Sequence, residues 1–195
     1  PYYGWLTAIT TAPLQMASKM NIKLVFYAED GEVEYGGSKE SQDKLVKSLD
    51  YSKNILLSQS HEEALKTISS EKNGLEMFSF PNAERMKDIT CTHWSYFENW
   101  NPYNNYLVAK EYCGLQEADK GNSGTFTNFA QNDQALYNLH TYIMYLKFGF
   151  GRANQDACIE IRRGAMERNQ AINLVKIYDG QYPEDYIKQY LEYYS

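Results

Sequence analysis

Three stretches of the 195-residue chain combine residue types that do chemistry. The first is Ala28-Glu29-Asp30-Gly31-Glu32-Val33-Glu34-Tyr35-Gly36-Gly37, directly after the apolar run Ile22 to Tyr27. In open α/β sheets ligands sit at the carboxyl ends of strands, and carboxylates gathered there can hold a divalent cation against phosphates. The cation would relieve the repulsion between them. A solvated acidic loop is the plain alternative, against which the paired glycines Gly36 and Gly37 let a backbone approach a ligand closely.

The second stretch runs from His93 to Tyr106 and interleaves Trp94, Tyr96, Phe97, Trp100, Tyr103 and Tyr106 with Asn and Glu. That mixture suits stacking on a sugar or base, with amides reaching hydroxyl groups. Aromatic packing of a helix start against a core fits equally well. The third joins Gly124-Thr125-Phe126-Thr127-Asn128-Phe129 to Lys147-Phe148-Gly149-Phe150-Gly151-Arg152-Ala153-Asn154-Gln155-Asp156 and to Ile161-Arg162-Arg163-Gly164. Glycines beside Lys and Arg at helix boundaries offer free N–H groups and planar guanidinium forks to a phosphate. Helix-face ion pairs, Glu160 with Arg163 or Arg163 with Glu167, are the competing use of the same charges.

Other constellations are missing. His61, His93 and His140 show no HExxH spacing, and there is no GxSxG, Walker A or GxGxxG. The cysteines Cys91, Cys113 and Cys158 fit neither a disulfide framework nor a zinc knuckle, and are read as buried reduced thiols. A formal charge of −6 argues against general nucleic-acid binding. The charge is uneven: Glu29 to Asp43 holds six acids against Lys39 alone, whereas Lys147 to Arg168 holds five bases against three acids, which permits a local anion site. With 43% apolar residues the chain can bury a core, and no apolar run reaches the roughly 18–20 residues of a membrane span. No signal peptide is evident, so a cytoplasmic protein without nucleic-acid or membrane partners is expected.

The elements that would position these stretches follow from periodicity and caps. Trp5–Met20 reads as a packed helix kinked or restarted at Pro13, Ile22–Tyr27 as a buried strand, and Ile89–Ser95 as another. Ser38–Leu49 and Glu62–Glu71 read as helices, the second opened by a capping box of Ser60 and Glu63. Asn101 caps a helix with Pro102 at its first position, and Gly114 stops it. Gln131–Phe148 presents Ala135, Leu139, Tyr142 and Leu146 as one stripe before Gly149. Asn154–Arg163, Glu167–Tyr178 and Pro183 to about Tyr194 complete the helices, with breaks at Gly164 and Gly180. Two strands cannot make a parallel sheet buried on both faces, and with Pro1 opening on an apolar element this points to the C-terminal part of a longer polypeptide.

Glu29–Gly37, His93–Leu115, Gly124–Met166 and Tyr178–Tyr186 resemble the C-terminal half of the N-acetyl sugar amidotransferases, a family of the PP-loop ATP pyrophosphatases. These enzymes serve surface-glycan synthesis, including acetamidino derivatives of pseudaminic acid and of lipopolysaccharide sugars. The resemblance covers nearly the whole chain. It implies an α/β fold in which residues 1–95 are the trailing part of a Rossmann-like PP-loop nucleotide-binding domain and residues 96–195 a mainly helical region. It implies ATP and Mg²⁺ as cofactors, a nucleotide-linked N-acetyl sugar as substrate, and an ammonia-supplying partner resembling a glutaminase and cyclase pair. Glu29 and Asp30 would ligate Mg²⁺ and count with Lys147 and Arg152 as catalytic. Gly31, Glu32, Arg162 and Arg163 would meet the cofactor, and Trp94, Tyr96, Trp100, Asn101 and Asn128 the substrate. The family's SGGxDS phosphate loop and cysteine pairs do not occur in the chain, so activity is expected of a complete protein, not of this chain alone. A PP-loop ligase of another substrate class, asparagine-synthetase-like or tRNA-modifying, and a non-catalytic helical interaction module are the alternatives, weak basic character disfavouring tRNA.

Overall fold

The computed structural model describes residues 3–29, 44–46, 63, 65–66, 75–131 and 134–195. They are mostly helical, with one two-stranded parallel sheet, an arrangement compatible with an α/β protein. The chain divides into two compact units, Tyr2–Trp100 and Asn101–Ser195.

In the first unit, helix α1 (Tyr3–Met20) is continuous through Pro13, which stands inside it and not at a restart. Proline has no N–H to offer the carbonyl four residues back. That carbonyl belongs to Ile9, and the Tyr27 hydroxyl donates to it at 3.3 Å. The buried threonines of α1 return their hydroxyl protons to the same helix, Thr7 to Tyr3 O, Thr10 to Leu6 O and Thr11 to Thr7 O, at 2.8–2.9 Å. Thr11 also donates to Met77 O at 2.6 Å and Gln15 to Ser79 O at 2.8 Å, which ties the 3₁₀ turn Leu75–Phe78 to the helix.

Strand β1 (Leu24–Tyr27) pairs in parallel with β2 (Thr90–His93), Leu24 opposite Thr90 and Tyr27 opposite His93. A short helix, α2 (Ala83–Met86), precedes β2 and is capped by Asn82. Leu14 and Ala17 of α1 form the core with Ile89 and Cys91, and Val25, Tyr27 and Phe80 pack on it. Only this face of β1 is covered: Leu24 and Phe26 are 52% and 44% exposed, so β1 is not the buried strand expected. Alternation explains the difference, since successive side chains point to opposite faces. Both strands are shorter than expected, and β2 gives way to the 3₁₀ turn Trp94–Tyr96.

Residues 44–46 form a bend, which interrupts the helix expected over 38–49 where Leu45 O accepts from the Thr92 hydroxyl. The rest of that helix, most of the one expected over 62–71 and its capping-box residue Ser60 lie outside the described residues.

The second unit contains α3 (Pro102–Cys113), α4 (Ala135–Phe148), α5 (Arg152–Arg162), α6 (Arg168–Tyr178) and α7 (Ile187–Tyr194). Asn101 caps α3 through Asn104 N at 3.0 Å, with Pro102 in the first turn and Gly114 left-handed at the end, as its residues demanded. Helix α6 opens with a reciprocal capping box between Glu167 and Gln170, so Glu167 serves the backbone there. Helix α4 starts at Ala135, not Gln131, which adopts φ 58°. Its buried residues are Tyr137, Asn138 and Thr141, whereas Leu146 is 63% exposed. The expected apolar stripe therefore does not face the core. Thr141 of this inward face lies against Gly124, where a Cβ would stand 3.6 Å from its hydroxyl oxygen. Before α7 the chain makes a 3₁₀ turn, Glu184–Tyr186, where one continuous helix was expected. Tyr190 of α7 is buried and donates to Ala135 O at 2.5 Å, and burial pushes its phenol up to about 12.

Candidate functional site

Gly124 belongs to the polar loop Gly121–Gln131, and asparagine side chains shape it. Asn122 Nδ2 donates to Ala130 O and Gln131 O at 2.8 and 3.0 Å, closing the loop on itself. Asn128 Nδ2 donates to Ala118 O at 3.2 Å while its own carbonyl accepts from Ala118 N at 2.8 Å. The side-chain amide expected to meet substrate thus pins the loop to the preceding segment. Phe129 stacks on Tyr106 with ring centroids 4.5 Å apart, and Tyr106 and Lys110 both bond Glu117.

Inside the loop, Gly124 (φ 88°) presents its carbonyl to Ala153 N at 2.8 Å, joining the loop to the first turn of α5. Thr125 next to it is buried, and its hydroxyl donates to Asp156 Oδ2 at 2.5 Å. Asp156 Oδ1 accepts from Arg152 Nε at 2.7 Å, one helical turn away, with side chains only 9% and 14% exposed. Burial pushes the Asp156 carboxyl up, and the Arg152 guanidinium and the Thr125 hydroxyl pull it back.

The N-terminus of α5 is held by an internal anion. Asp179, just after α6, accepts from Gly151 N at 2.7 Å and from Asn154 N at 3.4 Å, which starts the helix two residues before its expected position. Amides expected to stay free for a phosphate are therefore filled by a carboxylate. Tyr145 of α4 closes the same corner: a Cβ on Gly180 (φ 73°) would stand 2.5 Å from its ring, and one on Gly151 would stand 2.6 Å from Asp179 Oδ1.

Arg162 and Arg163 do not gather at Arg152. Arg163 pairs with Glu160 at 2.5–2.9 Å, one of the two pairs that its spacing allowed. Arg162 is exposed at the far end of α5, about 15 Å from Arg152 at 1.5 Å per helical residue. Lys147 is exposed in the last turn of α4, with Nζ 5.1 Å from the centre of the Phe148 ring. One phosphate cannot span Arg152 and Arg162, and the most buried of the four cations is Arg152.

Ser123 to Ser195 match the family model described as "LPS biosynthesis protein WbpG-like, C-terminal domain". The matched stretch begins two residues before Thr125 and contains Asn128, Lys147, Arg152, Asp156, Arg162, Arg163 and Asp179. The acidic and aromatic stretches precede it. No curated protein matches the chain.

In the Tyr2–Trp100 unit, Glu29 is exposed two residues beyond β1, and Asp30, Gly31 and Glu32 lie outside the described residues. Among the described residues no group of three or more His, Cys, Asp or Glu could hold a metal ion. Trp94 and Phe26 meet edge to face at 5.9 Å, Phe26 stacks on Phe97 at 5.6 Å, and Tyr96 meets Phe97 at 5.3 Å. These rings form an exposed aromatic ledge beside the carboxyl ends of the strands, where ligands of such sheets bind. Trp100 is half-buried, and Asn101 is engaged as the α3 cap. Cys91 is buried as expected, whereas Cys113 and Cys158 are exposed thiols. No described helix is long and apolar enough to cross a membrane.

Thr125 and Asp156 fall within the third stretch but carried no expected role, and Asp179 lies outside it. The spacing of Arg152 and Asp156, four apart, was the signal available for one of them. Thr125 and Asp179 lie 31 and 28 residues from their partners, beyond any local pattern.

Proposed function

We propose that the chain is part of an ATP-dependent N-acetyl sugar amidotransferase of surface-glycan biosynthesis, acting in the cytoplasm. The observation that carries this reading is the WbpG-like match, whose description names lipopolysaccharide biosynthesis and whose span holds the buried Arg152–Asp156–Thr125 cluster. The resemblance to PP-loop amidotransferases supplies the reaction. An amide oxygen is a poor leaving group, so it attacks the α-phosphorus of ATP with loss of pyrophosphate, and ammonia from a glutaminase-type partner then displaces AMP from the adenylated amide, giving an acetamidino group.

In this reading Arg152 binds an anionic group of ATP or of the nucleotide-linked sugar. The ledge of Trp94 and Tyr96 stacks on the base or the sugar ring. Glu29, with Asp30 and Glu32, would hold Mg²⁺, which when bound neutralises phosphate charge; Glu29 at the end of β1 fits such a role by position and donor type. Lys147, Arg162 and Arg163, exposed at helix ends, serve peripheral attraction of anions.

The test is a reaction of the intact protein with ATP, Mg²⁺, ammonium and a panel of UDP- and CMP-linked N-acetyl sugars, followed by mass spectrometry. A product about 1 Da lighter, formed with AMP and pyrophosphate, is expected as C=O becomes C=NH. ATP turnover with every sugar unchanged would overturn the substrate class. No turnover would favour the interaction module.

A further inference from the structure

We infer that a hollow between the carbonyl end of α1 and helix α2 binds a dianion of the phosphate class. It measures about 510 Å³, inside the range of roughly 300–1,000 Å³ that small-molecule sites occupy. The buried core residues Ala17 and Ile89 line it, together with Lys19, Lys23, Arg85 and Asp88. It lies at the amino ends of β1 and β2, since Lys23 directly precedes Leu24 and Ile89 directly precedes Thr90. The ledge of Trp94 and Tyr96 lies beyond the opposite ends of the same strands, so this is a second place for a ligand in the unit and does not depend on the amidotransferase reaction.

The charges around the hollow decide its ligand. Three cations, Lys19, Lys23 and Arg85, face two carboxylates, Glu84 and Asp88, in a protein whose formal charge is −6. Both carboxylates are already engaged: Asp88 holds Lys23 at 3.1 Å, and Glu84 holds Lys87, outside the hollow, at 2.7 Å. Lys19 and Arg85 are exposed, and among the described residues neither side chain has an ion pair or a hydrogen bond. Two uncommitted cations match the two charges of a phosphate group, the guanidinium offering a planar fork to its oxygens and the ammonium a point charge on a flexible stem. Helix ends favour cations, which accounts for Lys19 in the last turn of α1 or Arg85 in that of α2 taken singly. It does not account for both lining one hollow whose carboxylates are turned to other lysines. Asn21 brings the groups together. It adopts φ 54° directly after α1, and Ile22 N returns to Ala17 O at 2.8 Å, so the chain turns sharply from helix to strand and keeps Lys19 and Lys23 at the same hollow.

The experiment titrates inorganic phosphate into the intact protein by calorimetry, with chloride holding the ionic strength constant. Lysine acetylation with and without phosphate, read by mass spectrometry, maps the site. Saturable binding in the millimolar range is expected, with Lys19 protected and the exposed Lys188 of α7 labelled as before. Arg85→Gln should weaken binding about fivefold by removing a charge-assisted contact. Asp88→Asn should instead tighten it about threefold, because it removes a repelling charge and releases Lys23. Arg85 and Asp88 are exposed, so both variants should melt as the wild type does. Absence of saturable binding, binding that neither substitution alters, or equal protection of Lys19 and Lys188 overturns the inference. No ATP or sugar enters the titration, so failure of the amidotransferase reading leaves this test intact.

Discussion

Helix α1 and the corner around α5 satisfy their buried threonines in different ways. In α1, Thr7, Thr10 and Thr11 each bond a carbonyl four residues back, so helix formation supplies each with a partner, and Thr11 reaches Met77 O besides. Around α5, Thr125 depends on Asp156 and the α5 amides depend on Asp179, across 31 and 28 residues. Local satisfaction tolerates substitution, because a helix that forms brings its acceptors with it. Distant satisfaction makes the whole corner cooperative, since losing one partner leaves another buried and unpaired.

The sharpest way to break this contrast is with glycines. Gly180→Ala should destabilise the protein by about 2–4 kcal/mol, because its left-handed backbone and the Tyr145 ring 2.5 Å from the new Cβ both oppose a side chain. Gly4→Ala in α1, whose Cβ would meet nothing within 4 Å, should leave stability unchanged or raise it by up to about 0.5–1 kcal/mol. Urea denaturation of both variants checks the pair, and equal losses would erase the distinction. Next in size, Asp179→Ala should cost about 1–2 kcal/mol by removing the α5 cap. Thr10→Val, which removes a hydroxyl bonded only within its own helix, should stay within about 0.5–1 kcal/mol.

The smallest effect concerns His140 of α4, whose pKa burial lowers from its ordinary value near 6.5. The folded state therefore favours the neutral imidazole. Its contribution is whole above about pH 6.5 and is lost as pH falls through the lower folded value. His140→Gln should flatten the difference between urea midpoints at pH 7.5 and 5.5, and an unchanged slope would remove His140 as its source.

The same contrast explains what could be read in advance. The cap at Asn101-Pro102, the stop at Gly114, the pairing of Arg163 with Glu160 and both strand positions depend on neighbours within a few residues, and all four are found. The buried face of α4 could not be read, because Asn138 and Thr141 are inward through packing that no local pattern records, Thr141 against Gly124. Free amides at the start of α5 were a sound expectation from Gly151 and Arg152, and Asp179 overturns it from the end of another helix. The aromatic stretch was ambiguous for a related reason. Its rings do stack on one another, yet they are led there by Phe26 from the neighbouring strand.

Pro13 has a consequence for uniqueness rather than strength. An uninterrupted helix presents the same fully paired backbone at every turn, and a strand could slide along it with little polar cost. By withholding one N–H, Pro13 creates a single acceptor at Ile9 that the Tyr27 hydroxyl meets. A one-residue slip of β1 would forfeit that bond and turn Phe26 inward. The proline thus works as an address mark. It fixes which side of the strand faces the helix and, with it, where the segment after Tyr27 leaves the sheet.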